Sequence, residues 1–314
     1  MNLKPKTFAS ILLAAALTAG TSALLAAGSA DTAASQPDLA AWRQKVETWK
    51  KERTASLKRE DGWLTLVGLY WLKPGENRFG SDPGNPVILP NGKSPAVAGV
   101  LIREGDAVTV RAEPGSNLTA DGKPVTGSVA LKPDSSGKPT VLGLGSLSFY
   151  VIKRGDRLGV RIKDKESPER AAFHGVDTFP PDPRWRVVAR FEPYKDKKIP
   201  ITNVLGQVAD EPSPGAVVFD WQGKTYRLDA LGDLKEGLSL IFGDTTNGKT
   251  TYGAGRFLDT DPPKDGTVVV DFNTAYNPPC AFTAFATCPL PPAQNKLAIA
   301  VEAGEKKFAG GPEH

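Results

Sequence analysis

From Asp61 to Lys306 the chain is a succession of short apolar runs, each closed within a few residues by glycine, proline, asparagine or aspartate. A helix needs an apolar stripe sustained over several turns. Short runs rich in Val, Ile, Phe and Tyr fit the two-residue period of a strand instead. The 32 glycines and 27 prolines supply the turns that such a chain requires. The fold class read from this pattern is all-β: two β modules, a sandwich and then a small barrel or second sandwich, with one N-terminal amphipathic helix.

That helix is predicted over residues 37–60. Leu39, Trp42, Val46 and Trp49 recur at steps of three and four, Asp38 is placed to cap the first turn, and Gly62 lies beyond the basic end. The stripe is what any helix docked on a β core presents, so the tryptophans are read as packing residues.

Residues 1–30 have the three parts of a secretory leader: Lys4 and Lys6, an apolar run from Phe8 to Ala27, and small residues Gly28, Ser29 and Ala30. Thr18, Gly20, Thr21 and Ser22 interrupt the run, which argues against a retained membrane span of roughly 30 Å. The expectation is therefore export to a periplasmic or extracellular space, with no stable span after leader removal. The whole chain carries +4, and losing Lys4 and Lys6 leaves 37 basic against 35 acidic residues. Such a balance argues against nucleic acid or an acidic membrane surface as the main partner.

Residues 61–165 read as a compact β-sandwich. The order of their elements resembles a forkhead-associated domain, with a Gly-bounded strand, an Asn-x-Ile-x-Leu-like segment and a late hairpin. The resemblance implies a phosphopeptide-binding surface, but the residues depart from it. Ser81 follows Gly80 where that family carries arginine, and Ser94-Pro95-Ala96 lacks the histidine after the binding serine. A phosphate needs a charged or multiply hydrogen-bonded socket at those positions.

A proline-rich linker is expected over 166–185, stiffened by Pro180, Pro181 and Pro183. The second β domain is expected over 186–307, with strands that include TYGAGRFL and KLAIAVEA. Within it, Gly243 to Thr250, GDTTNGKT, matches the pattern of a phosphate-cradling loop. Such a loop must open a helix, whereas the glycines that follow predict an extended segment and Asn247-Gly248 a hairpin turn. No nucleotide role is assigned to it.

The segment Asp271 to Lys306 holds both cysteines and five prolines, the mark of a long, rigidly shaped loop of the kind that carries function. Cys280 and Cys288 lie eight residues apart in a chain read as exported, and a disulfide is expected between them. A metal site is the weaker alternative, since His174 and His314 are the only imidazoles and neither has ligand spacing to the cysteines. A thiolate nucleophile is weaker still, because no basic partner is visible nearby in sequence. No catalytic residue and no cofactor is assigned: His174 reads as structural and there is no G-x-S-x-G elbow. Strand period puts Tyr252, Ala254 and Arg256 on one face, and Asp271 and Asn273 on one face. If those strands are neighbours, Arg256 and Asp271 pair, and Asn273, Tyr276 and Asn277 complete a polar ligand-binding cluster at the mouth of the loop.

DGWLTLVGLYWLKPGENRFG, YGAGRFL and DFNTAYNPPCAFTAFATCPLPPAQNKLAIAVEAGE together resemble the domain of unknown function 1684 family, from Trp42 to Lys306. That resemblance implies no reaction, cofactor or catalytic residue. Two functions stay open: an exported protein that binds a small polar ligand or an envelope partner, and a cell-envelope hydrolase or transferase using carboxylates near Asp271.

Overall fold

The computed structural model describes residues 38–312, and its strands far outweigh its helices. The leader expected over 1–30 lies outside the described residues. The first element is the helix Leu39–Leu57, three residues shorter at its C-terminal end than the sequence pattern suggests. Asp38 caps it as expected, its Oδ1 accepting from the N–H groups of Ala40 at 2.9 Å and Ala41 at 3.3 Å. Trp42, Val46 and Leu57 form its buried stripe, while Leu39 is exposed and Trp49 half-buried.

Two sheets then face each other. One has six strands and includes Leu66–Trp71, Leu147–Arg154 and Arg157–Asp164; the other has five and includes Gly75–Gly80, Gly99–Glu104 and Ala107–Ala112. Alternate residues of both sheets point inward into one apolar core, where the ring of Phe79 meets Phe149 edge-on at 5.5 Å. Each such side chain, fully removed from water, contributes roughly 1.5–3 kcal/mol. Ser81 is not open to a phosphate: its hydroxyl donates to the carbonyl of Ser94 at 3.0 Å and its N–H to that of Pro95 at 2.9 Å.

Between the sheets and the C-terminal strands, 166–185 does more than span a gap. Ser167 caps a short helix, Pro168–Ala172, and donates to the Leu64 carbonyl at 2.6 Å. Phe173 and Trp185 are buried anchors. Phe173 enters a cluster with Leu57, Leu64, Tyr252, Cys280, Phe282 and Cys288, which joins the helix, the start of the sandwich and the cysteine loop.

The C-terminal sheet has six strands in the order Arg256–Thr260, Gly237–Phe242, Lys224–Asp233, Gly215–Trp221, Arg186–Pro193, Thr267–Asp271. Its two edge strands are consecutive in the chain, so the sheet curls toward closure as a half-barrel. A two-stranded hairpin, Lys198–Thr202 with Val208–Pro212, stands apart from it.

Two expected strands differ from expectation: TYGAGRFL is a strand only from Arg256 onward, and KLAIAVEA is not one. Tyr252–Gly255 is a turn, closed by Gly255 N–H donating to the Tyr252 carbonyl at 3.3 Å, and Gly255 takes a φ of +93° that favours glycine. A side-chain carbon there would fall 2.4 Å from Pro291 Cγ. KLAIAVEA also stays outside the sheet, touching it by one bridge between Lys296 and Gly243.

Candidate functional site

Arg256 explains why the last segment needs no partner strand. Its side chain is fully buried, and its guanidinium donates to the carbonyls of Val301 at 2.8 Å, Ala303, and Glu305 at 3.4 Å. They belong to alternate residues of the last segment, with Gly304 between the second and third at a φ of +75° turning the chain so that all three carbonyls meet the guanidinium. A cation here replaces the row of N–H groups that a neighbouring strand would bring. The counter-charge is Asp244, at 2.9 Å and equally buried. The expected pair of Arg256 with Asp271 is therefore not formed. The strand-period argument fails because Tyr252–Gly255 turns, and because Asp271 caps the following 3-10 turn, Phe272–Thr274.

Asp271 is fully engaged. One oxygen accepts from the Trp42 indole N–H at 2.7 Å, and the other from the backbone and side-chain N–H groups of Asn273 at 3.1 and 2.8 Å. Asn273 also exchanges two hydrogen bonds with the backbone of Asp182, both 2.9 Å. Asn277 is buried too. Its N–H donates to Glu305 Oε2 at 2.7 Å and its side-chain amide to the Lys306 carbonyl at 2.8 Å. Four of the five residues expected to bind ligand thus hold the loop in shape.

Tyr276 is the fifth, and it lines a cavity of about 510 Å3. Four parts of the chain build this cavity: Trp49, Glu52, Arg53 and Ser56 on successive turns of the helix, Trp63 at the start of the sandwich, Phe257 and Asp259 on a sheet edge, and Tyr276 and Pro279 in the loop. Phe257 and Tyr276 exchange backbone N–H to carbonyl bonds, 2.8 Å each, which fixes the loop to the edge strand. The Tyr276 hydroxyl donates to Asp259 Oδ2 at 2.8 Å; burial and that carboxylate push the phenol well up, so it stays a donor. Arg53 stacks over the Tyr276 ring at 4.7 Å, and the Trp49 ring lies 6.5 Å away.

Behind the cavity, Arg53 Nε donates to Glu305 at 3.0 Å and its Nη2 to the Asn277 carbonyl at 2.8 Å. Burial pushes the Glu305 carboxyl up despite the opposing pull of Arg53. Sequence reasoning missed Arg53, Glu52 and Trp63. The helical pattern read Trp49 as packing, and nothing in sequence shows that the polar side of one turn faces a loop more than 200 residues away.

A larger cavity, about 630 Å3, borders the GDTTNGKT segment. No helix follows that segment, Lys249 is exposed, and Asn247 and Asp244 are engaged in the turn. Asp244 serves Arg256, Thr246 and the Val301 N–H. Its chemistry is structural. His174 is exposed and hydrogen-bonds to no described residue.

The expected disulfide is absent. Cys280 and Cys288 are both buried, and each backbone N–H points at the other sulfur, at 3.1 and 3.3 Å. These two contacts hold the ends of the short loop together.

The cysteine loop and the GDTTNGKT stretch fall within a segment, residues 171–306, that matches the model of a family described as a protein of unknown function, DUF1684. The chain belongs to that family through this segment, which is narrower than the span from Trp42 that the sequence motifs suggest. Among solved structures, it is similar to the solution NMR structure of an uncharacterized protein, gene locus rrnAC0354, of Haloarcula marismortui. The identity is 32%, over 44% of this chain and 79% of that one, at a TM-score of 0.37. No curated protein matches the chain.

Proposed function

We propose that this is an exported protein that binds a small hydroxylated ligand, of the size of a monosaccharide, in the cavity at Tyr276. One observation carries the reading: aromatic faces and uncommitted polar groups converge on a cavity in the size range of small-molecule sites. Trp49, Trp63, Phe257 and Tyr276 offer surfaces on which the apolar face of a sugar ring stacks. The Glu52 carboxylate, the Ser56 hydroxyl, the two indole N–H groups and Arg53 Nη1 make no hydrogen bond to a described residue, so donors and acceptors are both open to hydroxyls. Charge argues against an anion. Glu52 and Asp259 are negative, and the positive charge of Arg53 is already offset by Glu305.

A hydrolase or transferase working through Asp271 has no such support, because Trp42 and Asn273 occupy both of its oxygens. The binding test is titration of neutral monosaccharides and polyols followed by tryptophan fluorescence and melting temperature. Trp63→Ala should abolish the response with little change in the unliganded melting temperature, since Trp63 is an exposed rim residue. A response unchanged by Trp63→Ala and Tyr276→Ala would place the ligand elsewhere. Export rests on the Lys4 to Ala30 pattern and is tested separately, by intact mass of expressed material. Loss of residues 1–30 is the expected result, and a cytoplasmic chain beginning at Met1 would refute it.

A further inference from the structure

Two arginines from the sandwich converge on one hydroxyl of the cysteine loop. Thr287 Oγ1 accepts from Arg154 Nε at 2.9 Å and from Arg161 Nη2 at 3.3 Å. A hydroxyl has two lone pairs and one hydrogen, so both accepting positions are taken and the O–H is left to donate. Among the described residues nothing receives it. Each guanidinium also keeps an N–H beyond the bond to Thr287: Arg154 Nη2 and Arg161 Nε reach no described residue.

The two cations differ in their counter-charges. Asp134 offsets Arg154 at 2.8 Å, whereas Arg161 is 3% exposed and makes its one hydrogen bond to Thr287, with no carboxylate paired to it among the described residues. A positive charge taken out of water without a counter-ion is costly, so the space beside it is informative. That space is a cavity of about 470 Å3, lined by Thr287 and Arg154 and bounded on its outer side by the hairpin Lys198–Thr202 with Val208–Pro212. Ile201, Val208, Leu231 and Pro289 give it apolar walls. The hairpin is fastened at both sides: Gln207 Nε2 donates to the Arg154 carbonyl at 2.8 Å, and the Val204 N–H to the Cys288 carbonyl at 3.0 Å.

We propose that this cavity is a second ligand site, for a small monocarboxylate with a short apolar body, held by the Thr287 hydroxyl and Arg154 Nη2, with Arg161 supplying the positive charge through the shared hydroxyl. Arg154 Nε is bonded to Thr287 and Nη2 sits on the same planar fork, so the two donors stand side by side, as the two oxygens of a carboxylate do. Charge sets the class. One cation is uncompensated, which matches one negative charge, and Lys153 on the same wall is already paired with Asp106 at 2.7 Å. Glu211 also lines the cavity and disfavours a dianion such as phosphate. The apolar walls suit a hydrocarbon body and not a ring of hydroxyls, so this site and the Tyr276 cavity take different ligands and neither reading depends on the other.

The test titrates butyrate into the full chain, followed by calorimetry and melting temperature, with butanol and inorganic phosphate in parallel arms. Butyrate should bind saturably and raise the melting temperature, while butanol, which has the same body without the charge, and phosphate should not. Thr287→Val keeps the shape and removes the hydroxyl; it should weaken butyrate at least about tenfold, and Thr287→Ser should retain most of the affinity. Arg161→Met removes a charge that no carboxylate offsets, so the fold should persist while butyrate binding is lost. If Arg161→Met does not fold, Thr287→Val against Thr287→Ser decides alone. Butyrate that fails to saturate at millimolar concentration, phosphate or butanol that binds as tightly as butyrate, or parent-like affinity in Thr287→Val would each overturn the proposal.

Discussion

The sandwich and the half-barrel bury different things. The sandwich core is a continuous set of Leu, Val, Ile and Phe side chains from two facing sheets, with Phe79 against Phe149 at its centre. The C-terminal region has an aromatic core of its own around Phe272, yet it also buries Arg256, Asp244, Glu305, Asn277 and Asn295. A sheet that pairs its own strands needs only apolar filling. A long segment that never joins a sheet still carries N–H and C=O groups, and side chains must answer them. The polar network is therefore the cost of having a shaped loop, and the cavity sits where that loop, the helix and the sheet edge meet.

The sharpest way to break this comparison is Arg256→Ala. It leaves Asp244 buried without its partner and three carbonyls without a donor, and should cost about 3–5 kcal/mol in chemical unfolding. Replacing both partners, Arg256→Met with Asp244→Leu, should recover part of the loss but not all, because the carbonyls stay unanswered. In the sandwich, Leu101→Ala should cost about 2–5 kcal/mol through the space it leaves, with no polar group to rescue. If Arg256→Ala unfolded no more easily than a surface variant, the C-terminal network would not be what holds the last segment.

Glu305→Gln sharpens the contrast through pH. Burial holds the Glu305 carboxyl above its unfolded value, so the folded state takes up its proton first. The stability it contributes is fully present below the unfolded carboxylate pKa of about 4.3 and is lost as pH rises through the folded value. Glutamine mimics the protonated form throughout. The difference in unfolding free energy, parent minus Glu305→Gln, should therefore increase as pH falls across that window. A difference independent of pH would mean that Arg53 fully offsets the burial. The smallest expected effect is Lys249→Ala, within about 0.5 kcal/mol, because the side chain is exposed on a turn.

Much of the fold was legible in the sequence, and the reason is periodicity. Strand alternation exposed the sandwich, and the Asp38 cap with Trp42 and Val46 gave the helix. Proline and cysteine density singled out the loop that lines the cavity at Tyr276. What failed was the step from loop to site. Tyr252 to Arg256 was read by the period of a strand, although Gly253 and Gly255 allow a turn, so the face shared by Tyr252 and Arg256 did not exist. KLAIAVEA has the composition of a strand, but it bends at Ala298 and Ile299 and the carbonyls of Val301 and Ala303 are answered by a guanidinium instead of a partner strand. Tyr276 was found because it lies in the singled-out loop; Arg53, Trp63 and Arg161 were not, because contacts across most of the chain leave no local pattern.

The paired bonds between Phe257 and Tyr276 have one more consequence. The strand Arg256–Thr260 ends its sheet, and an outermost strand offers its backbone to any passing chain that can add another. Here the cysteine loop has already taken the place of that visitor at Phe257, and the Tyr276 ring stands over it. Loosening the loop, by cutting it or by replacing Asn277, would uncover a template for intermolecular pairing. The same contact that shapes the cavity thus keeps one copy of this protein from adhering to the next.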